Sequence, residues 1–318
     1  MKQKENYPID AVVTWVDPSD PIRQTAIKSF LAQINDSMES KKNAIGKNIE
    51  EIKYTVHSIL KYAPFIRNIF IITDQQIPRF LKSSNRSPYS KVKVVDHQTI
   101  FKKDIAMLPT FNARSIETKL YEVPRLSEHF IYFNDDILLL QKTTPTDFFI
   151  NGKPVLRGKW KRFKENIFYK QLSNKKKKHQ PGHILAQEKS AKIIGFKKLY
   201  KFHHTPHPMR VSTLKTFYSD SRNIELNNIQ YKFRNHNQFL NSAISYHLEI
   251  KNKTCFIKQD YQLLHFRHYK KPFFWLKFKL LHLGNRKNKL FLNLQDLGLC
   301  PENKLAFIIE WLEKKYKI

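Results

Sequence analysis

The sequence predicts an α/β fold, with a mostly parallel sheet flanked by helices. Three observations predict it: apolar and β-branched runs of strand length, helical patterns between these runs, and polar residues that collect where the runs end. Strands that are apolar along nearly their whole length are typical of a parallel sheet covered on both faces. Such sheets bind ligands beyond the carboxyl ends of their strands. We therefore expect a functional site at that edge.

The predicted elements alternate along the N-terminal part of the chain. The segment IDAVVTWVD, residues 9–17, is a predicted strand because of its Val, Ile, Thr and Trp content, and it runs into the turn-forming DPSDP. Apolar residues then recur at helical spacing from residue 49 to residue 62. The pattern continues with the strands IRNIFIIT and KVKVVD, the helix NARSIETKLYEV with Asn112 as its N-cap, and the strand HFIYF. Near the C-terminus, ENKLAFIIEWLEKKY predicts an amphipathic helix.

Two adjacent carboxylates, Asp135 and Asp136, lie inside the apolar stretch HFIYFNDDILLL. Burial of ionised carboxylates is costly unless hydrogen bonds, a cation or a raised pKa compensates. One interpretation is a divalent metal site, and the other is an Asn-Asp-Asp turn whose side chains cap the backbone. Asp17, Asp74 and Asp96 end the other predicted strands, so they should share one rim with this turn. An acidic rim on a basic protein suggests a metal that could hold a diphosphate.

The chain of 318 residues carries a net charge of +30 and has a sequence pI near 9.9. This charge predicts attraction to polyanions such as nucleic acid, anionic lipid or phosphate-rich substrates. Sixteen Lys or Arg and two acids lie between Lys153 and Lys201, and we interpret residues 151–203 as an irregular basic insertion. Its run Lys175–Lys178 is expected to serve an anionic partner, and a solvated lysine loop is the alternative.

Composition also excludes several classes of site. With seven Gly in the chain, neither a Walker sequence nor a G-x-G-x-x-G fingerprint is found, so bound phosphates would need metal and Arg instead. Cys255 and Cys300 are far apart and suggest neither a disulfide framework nor a zinc site. No apolar run is long enough to cross a bilayer, and MKQKENYPID lacks the apolar stretch of a signal peptide, so a cytoplasmic location is expected.

The segment KKPFFWLKFKLLHLGNRKNK, residues 270–289, has seven basic residues, four aromatic residues and no acids. This composition predicts peripheral contact with the anionic lipid on the inner face of the cytoplasmic membrane. Its helical wheel gives no clean polar face, so a basic and partly buried helix is the alternative.

Four blocks follow one another along the chain: IDAVVTWVDPSDP; a long region from EEIKYTVHSILKYAPFIRNIFIITDQQIPRFL through VKVVDHQTIF to LPTFNARSIETKLYEVPRLSEHFIYFNDD; HHTPHPM with YKFRNHNQF; and LFLNLQDLGLC. Together they resemble the Stealth family of sugar-phosphate transferases, which make bacterial surface polysaccharides and include the enzyme subunit that tags lysosomal glycoproteins. The resemblance implies a GT-A-like nucleotide-sugar-binding core, a UDP-sugar donor, Mg²⁺ or Mn²⁺, and a glycan or polysaccharide acceptor. The implied reaction transfers a hexose-1-phosphate to a sugar hydroxyl and releases UMP.

The resemblance also implies roles for three carboxylates. Glu117 stands in the F-N-x-x-x-I-E motif and Asp136 is the second acid of N-D-D, so both would lie in the active site. Asp136 and Asp296, the latter in the last block, would hold the cation, which would bridge the diphosphate. Glu117 would bind the cation or position the acceptor. Without the motif, Glu117 would be interpreted as an exposed helix acid.

Four further residues match the other motifs. His204 of the H-T-P block is the candidate base for the acceptor hydroxyl, since an imidazole titrates near neutral pH. Arg234 of the F-R motif would present its planar fork to the transferring phosphoryl group, and an ordinary salt bridge is the alternative. Trp15 and Asp17 lie in the block that the family associates with nucleotide-sugar binding.

Two other functions fit parts of the pattern. A GT-A-type glycosyltransferase would use the same donor and cation, but its acceptor would attack the anomeric carbon and UDP would leave. A nucleic-acid-binding protein would use the net charge, although the sequence has no zinc finger or ribonucleoprotein motif and no specific nucleic acid is expected. We expect a single catalytic domain with an α/β core at residues 1–150, the basic insertion at 151–203, and the rest of the core with C-terminal helices at 204–318.

Overall fold

The computed structural model describes residues 7–33, 49–82, 87–166, 182–267 and 269–318. The strands are β1 (Ile9–Thr14), β2 (Ile66–Thr73), β3 (Val92–Asp96), β4 (His129–Asn134), β5 (Ile137–Leu139), β6 (Phe149–Ile150), β7 (Lys153–Arg157), β8 (Lys159–Lys161), β9 (Leu199–Lys201), β10 (His207–Arg210), β11 (Phe256–Lys258), β12 (Leu263–Phe266) and β13 (Phe291–Leu294). The α-helices are α1 (Pro21–Gln33), α2 (Glu51–Tyr62), α3 (His97–Ile100), α4 (Ala113–Thr118), α5 (His183–Ile193), α6 (Val211–Asp220), α7 (Arg222–Ile229), α8 (Asn241–Lys251), α9 (Phe273–Phe278) and α10 (Glu302–Tyr316).

The main sheet contains five strands in the order β10-β4-β1-β2-β3. The strands β1 to β4 pair in parallel, and β10 runs antiparallel along the edge of β4. The predicted α/β class with a mostly parallel sheet is therefore confirmed. Because the parallel strands share one direction, their carboxyl ends meet at one edge, where Thr14 lies beside Asn134 and Thr73 lies beside Asp96.

Apolar side chains cover both faces of the main sheet, because successive residues of a strand point to opposite faces. Ala11 and Val13 pack with the buried side of α2, whereas Val12 packs with residues of α3, α4, α6 and α7 on the other face.

Ile71 is fully buried in the core on the α2 face of the main sheet. Its replacement by Ala should cost about 2–5 kcal/mol of unfolding free energy, as expected for a large-to-small change in a packed core.

A smaller sheet links the C-terminal part of the chain to the carboxyl edge of the main sheet. Its order is β12-β13-β5, with β13 antiparallel to β5 and parallel to β12. Residues of α9 and α10 pack beneath it with Tyr54 of α2. Since β5 follows β4 after two residues, Asp135 and Asp136, this sheet carries residues near position 296 to the same edge.

The expectation of an irregular basic insertion is wrong for the described residues of 151–203. There β7 pairs with β6 and β11, β8 pairs with β9, and α5 packs against α8. The lysines obscured these elements because they occupy exposed positions of short strands, such as Lys159 and Lys161 of β8. The run at residues 175–178 lies outside the described residues.

The helical prediction for NARSIETKLYEV is correct only in its first part. Asn112 caps α4 as predicted, by accepting a hydrogen bond from the backbone of Arg114, but α4 ends at Thr118 and a single 3₁₀ turn follows at Leu120–Glu122. Pro124, which cannot continue a helix, comes next. Among the described residues, no helix combines the length and the apolar character needed to cross a bilayer.

Candidate active site

The Asp135–Asp136 pair forms a turn between two sheets. The main-sheet strand β4 ends at Asn134 and β5 of the smaller sheet begins at Ile137, so the predicted turn is confirmed. The hydroxyl of Thr55 in α2 donates a 2.6 Å hydrogen bond to the backbone oxygen of Asp135 and fixes the turn against that helix. The Oδ1 atom of Asp136 is buried without a hydrogen-bond partner among the residues that the structure describes. Capping of the backbone therefore does not account for all of this carboxylate's lone pairs.

Asp296 comes to this turn through the pairing of β13 with β5. The backbone of Leu294 donates to the carbonyl oxygen of Asp136 at 3.0 Å, and the side-chain amide of Asn293 reaches the same oxygen at 3.3 Å. The chain then turns at Asp296, which is exposed and has the left-handed φ of 56°. The structure thus brings together Asp136 and Asp296, the two residues predicted to bind metal.

A further acid, Glu51, joins the pair from the first turn of α2. Burial raises the pKa of Glu51 well above its ordinary value, and the charges of Asp135, Asp136 and Asp296 raise it further. Burial raises the pKa of Asp135, and the charge of Asp136 raises it further. Burial also raises the pKa of Asp136, and the charge of Asp296 adds to this effect. We call Glu51, Asp135, Asp136 and Asp296 the acidic centre. Its members repel one another, so a bound cation would stabilise it.

Three imidazoles lie beside the acidic centre. The ring of His204 is 4.3 Å from that of His183 and 6.5 Å from that of His265. Burial lowers the pKa of His204, as do the charges of Arg234 and Arg267, while Asp296 opposes them. His204 is therefore neutral at pH 7 and can accept a proton. Burial lowers the pKa of His265, and the charge of Asp136 opposes this effect. The acids and imidazoles therefore belong to one site.

Arg234 is held in position through its backbone. The side-chain amide of Asn112 donates to the carbonyl oxygens of Phe233 at 2.9 Å and Tyr231 at 3.0 Å, on the segment that leads into Arg234. The guanidinium of the buried Arg114 donates to the carbonyl oxygen of Asn235 at 3.2 Å. Arg234 itself is exposed, and no carboxylate of the described ranges is within ion-pair distance of it. The alternative of an ordinary salt bridge is not realised there.

The contacts of Asn112 lead to a prediction about stability. Asn112→Ala should lower the unfolding free energy by about 2–4 kcal/mol, because it removes a helix cap and the three hydrogen bonds that the side-chain amide donates to Tyr231, Phe233 and Gln238. Urea unfolding followed by circular dichroism measures this change. The exposed Asn227→Ala variant is the control and should stay within about 0.5 kcal/mol of the unmodified protein. A similar midpoint for both variants would show that Asn112 does not anchor the Arg234 segment.

Glu117 is buried, so the alternative of an exposed helix acid is wrong. Its Oε1 accepts a 3.0 Å hydrogen bond from the backbone of Ser242 at the start of α8, and its carbonyl oxygen accepts one of 2.8 Å from Asn241. Burial raises the pKa of Glu117, while Ser242, Arg114 and Arg234 lower it. Burial raises the pKa of Tyr132, and the charges of Glu117 and Asp135 raise it further. Glu117 and Asp135 therefore both lie near Tyr132, which places Glu117 near the acidic centre.

The block predicted to bind the nucleotide sugar forms the end of β1 and the turn after it. Trp15 is buried in the core on one face of the main sheet. Asp17 accepts hydrogen bonds from the backbone and hydroxyl of Ser19 at 2.8 and 2.6 Å, and its own N–H donates to Gln76 at 2.7 Å. Both residues are thus placed to shape the β1 turn at the carboxyl edge, and their proposed role stays a prediction.

The other rim acids predicted from strand ends make local contacts. Asp74 forms a 3.4 Å ion pair with Arg23. Asp96 caps α3 by accepting a 2.8 Å hydrogen bond from the backbone of Gln98. Burial raises the pKa of Asp74, Arg23 lowers it, and the charges of Asp96 and Asp20 raise it, so the sheet edge is acidic as predicted.

The donor set of the acidic centre fits a cation that arrives with a substrate. In the described part of the chain, no three acids, histidines or cysteines are arranged around one metal position. Mg²⁺ usually takes only one or two protein carboxylates and completes its shell with water and substrate phosphates. The buried and unpartnered Oδ1 atoms of Asp136 and Asn293 are oxygen ligands of the type it prefers.

Sequence reasoning missed Glu51, His183, His265 and Asn293. An acid in the first turn of a helix ordinarily complements the helix dipole, so Glu51 gave no distinct signal. The two imidazoles and Asn293 reach the site through contacts between distant segments, which a single sequence does not encode in a local pattern.

The fold and the site define an α/β protein with an acidic centre next to imidazole and guanidinium groups, at the carboxyl edge of a mostly parallel sheet. Stealth protein conserved region 1 matches residues 7–34, and Stealth protein conserved region 2 matches residues 46–155. These matches confirm the resemblance to the Stealth family. They contain Glu51, Glu117 and the Asp135–Asp136 turn.

Curated relatives agree with this family. An exopolysaccharide phosphotransferase, cps2G of Lactiplantibacillus plantarum, is 41% identical over 145 residues, which cover 45% of this chain and 40% of the relative. A capsular polysaccharide phosphotransferase of Neisseria meningitidis serogroup B is 39% identical over 150 residues, covering 46% of this chain and 39% of the relative. The match thus spans about 40% of the length of these relatives.

Solved glycosyltransferases give weaker matches. The galactosyltransferase LgtC has 10% identity and a TM-score of 0.48, with 97% of this chain and 95% of that chain covered. The bifunctional glycosyltransferase WbbM has 10% identity and a TM-score of 0.46, with 98% of this chain and 52% of that chain covered. At these scores the likeness adds nothing to the fold described above.

Proposed function

We propose that this chain catalyses the metal-dependent transfer of a hexose-1-phosphate from a UDP-sugar to a sugar hydroxyl, with release of UMP, in the synthesis of a capsular or other surface polysaccharide. The observation that carries the proposal is that negative carboxylates, a neutral imidazole and a positive guanidinium lie together in the site. The four carboxylates of the acidic centre lie beside a neutral His204 and an Arg234 that has no acidic partner in the described ranges. Phosphoryl transfer needs this combination of a cation site, a base and a guanidinium.

The acidic centre supplies the cation ligands in this proposal. Asp136 and Asp296 would hold Mg²⁺ or Mn²⁺, and Glu51, whose pKa is raised by burial and then by the charges of these acids, would lie beside the bound cation. When bound, the cation neutralises the diphosphate and the departing UMP. Asn293 would orient Asp136, since its side-chain amide donates to that residue's backbone and acts on its carboxylate.

The remaining residues act on the acceptor and the transferring group. His204 accepts the proton of the acceptor hydroxyl, because its pKa lies below the ordinary value and the ring is neutral at pH 7. Arg234 donates its fork of N–H groups to the phosphoryl oxygens. Glu117, whose carboxylate is fixed by the backbone of Ser242, positions the acceptor. Trp15 and Asp17 shape the loop on which the nucleotide lies.

The identity of the released nucleotide tests the proposal. The protein is incubated with Mg²⁺, a panel of UDP-sugars and a glycan acceptor, and the nucleotide products are separated by chromatography. Release of UMP together with a product heavier by a hexose phosphate is the expected result. UDP as the sole product would replace the proposal by a glycosyltransferase, which uses the same donor and cation. Tight and metal-independent binding of nucleic acid without any transfer would favour the nucleic-acid alternative.

We further propose that a segment of residues 273–283 contacts an anionic membrane. The helix α9 and the π-helical turn after it expose Phe274 by 71%, Phe278 by 51% and Leu281 by 45%. These positions are spaced four and three residues apart, so they lie on one side of a helix. The surrounding residues 270–289 carry seven basic side chains and no acid, which fits an anionic lipid surface.

A vesicle-binding measurement tests this contact. The double variant Phe274→Ser/Phe278→Ser should bind vesicles of phosphatidylcholine and phosphatidylglycerol at least about tenfold more weakly, because it removes two apolar anchors. Ile22→Ser is the control, since Ile22 is 82% exposed on α1, which lacks this charge pattern. Binding should also weaken as salt is raised from 0.1 to 1 M, where the Debye length falls from about 10 to about 3 Å. Equal binding by both variants would contradict the proposal.

A further inference from the structure

The N-terminus of α5 opens into the candidate active site on the side of His204. The helix runs from His183 to Ile193, and Gly182 at its N-cap provides no side-chain hydrogen bond to the first turn. The first turn contains no acidic residue. Free N–H groups at a helix start, together with the helix dipole, form a favourable place for an anion.

His183 provides an independent indication of a ligand. Its Nε2 atom is buried and has no hydrogen-bond partner in the described part of the chain. The ring lies against those of His204 at 4.3 Å and Phe202 at 6.1 Å, so packing fixes its orientation. Burial lowers the pKa of His183 well below its ordinary value, and His204, His207 and the charges of two arginines, Arg114 and Arg234, lower it further. A neutral imidazole can donate one N–H to an acceptor oxygen, and a buried unpaired nitrogen costs free energy until it does.

Two guanidinium groups complete the surroundings. Arg114 donates to the carbonyl oxygen of Gly182 at 3.3 Å, directly at the start of α5. Burial and the charge of Arg234 together lower the pKa of Arg114 to about 10, against the opposing charge of Glu117. Two positive charges beside a helix N-terminus are stabilised by a bound anion.

We propose that the N-terminus of α5, together with His183 and Arg114, is a phosphoryl-binding site next to the His204 imidazole. Naming the anion as a phosphoryl group rests on the proposed function. The group has two sources, namely the diphosphate of the nucleotide-sugar donor and a phosphodiester of the growing acceptor. The charge of Asp296 raises the pKa of His204, and the charge of Asp136 raises that of His265. The neighbours that change the pKa of His183 are instead imidazoles and arginines, and all of them lower it. The phosphoryl site therefore lies on the cationic side of the candidate active site.

A matched pair of variants at Gly182 tests the site without removing any of its side chains. Gly182 has φ −68° and ψ 147°, which other residues adopt at an N-cap, and within the described residues an added Cβ would meet nothing closer than Leu185 at 4.0 Å. Gly182→Asp and Gly182→Asn should both keep the fold, since each can cap the helix. Only Asp places a negative charge where the phosphoryl group binds. The difference between the two variants therefore isolates that charge.

Binding is measured by calorimetric titration without divalent cation, using UDP for the donor phosphates, dimethyl phosphate for a phosphodiester, and uridine as the uncharged reference. We expect Gly182→Asp to bind at least one phosphate probe about tenfold more weakly than Gly182→Asn, with equal affinity for uridine. A loss for UDP alone assigns the donor, and a loss for dimethyl phosphate alone assigns the acceptor. Equal binding of both probes by the two variants, or no binding by the unmodified protein, overturns the proposal.

His183→Ala provides a second test, with the exposed His282→Ala as its control. His183→Ala should weaken binding of the same probe by about five- to tenfold, because it removes one hydrogen-bond donor. These measurements require no turnover. A phosphoryl site confirmed in a protein that releases no UMP would therefore retain this inference and reject the proposed function.

Discussion

Replacing Asp136 with Asn should reduce sugar-phosphate transfer at least about a hundredfold, because a neutral amide is a much weaker ligand for a hard cation than a carboxylate of nearly the same volume. The Oδ1 atom of Asp136 is buried and has no hydrogen-bond partner within the described ranges, so its lone pair is available to a cation. Initial rates of UMP release at low Mg²⁺ concentration measure the effect. Asp220→Asn, at the end of α6, is the control and should keep full activity.

The same substitution should make the cation-free protein more stable, because it removes one of four repelling charges. Burial raises the pKa values of Glu51, Asp135 and Asp136 in the folded protein. A raised folded-state pKa gives stability that is present at low pH and is lost as pH rises above the ordinary carboxyl value of about 4. Thermal unfolding with a chelator should therefore show a steeper decline toward neutral pH in the unmodified protein than in Asp136→Asn. Full activity of Asp136→Asn, or no difference in stability, would remove Asp136 from the cation site.

Arg234→Lys should lose at least about a hundredfold in transfer rate, nearly as much as Arg234→Ala. Lysine keeps the charge, but it offers a point charge in place of a planar fork that binds two phosphoryl oxygens at once. Guanidinium groups that stabilise the transferring phosphoryl group are worth about a thousandfold or more in related chemistry. The measurement is the rate of UMP release at saturating donor.

The exposed Arg125→Lys variant serves as the control for this exchange, because Arg125 lies in the turn before β4, outside the site. It should transfer at the unmodified rate. Both Arg234 variants should unfold at the same temperature as the unmodified protein, since Arg234 is exposed and makes no ion pair within the described residues. A rate for Arg234→Lys equal to that of the unmodified protein would reduce Arg234 to a generic positive charge.

The predictions for the main sheet were accurate because its strands carry strong local signals. The segment IRNIFIIT is apolar along most of its length, and it coincides with β2 at Ile66–Thr73. The final helix is also as predicted, at Glu302–Tyr316. The strand β2 is buried on both faces and the final helix on one, so the spacing of their apolar residues predicts the type of each element. The short strands of the basic region have exposed Lys side chains and gave no such pattern.

The site was predictable only in part. Asp136 stood out because charged residues are rare inside an apolar run, and the family motifs supplied Glu117, His204, Arg234 and Asp296. The contacts that unite these residues depend on tertiary packing. Asn112, for example, was predicted as a helix cap, yet its amide also holds the Arg234 segment through the carbonyl oxygens of Tyr231 and Phe233. No spacing in the sequence relates these two functions.

The antiparallel pairing of β5 with β13 has a consequence for how the protein acquires its activity. Asp136 and Asn293 are 157 positions apart, and they meet only when this pair of strands has formed. Contacts between such distant segments form late in folding, because the loop between them must first be closed. During synthesis, the N-terminal sheet can assemble while the segment carrying Asp296 is still in the ribosome. If the proposed function holds, a nascent chain should therefore remain unable to bind the cation tightly until β13 has emerged and joined β5.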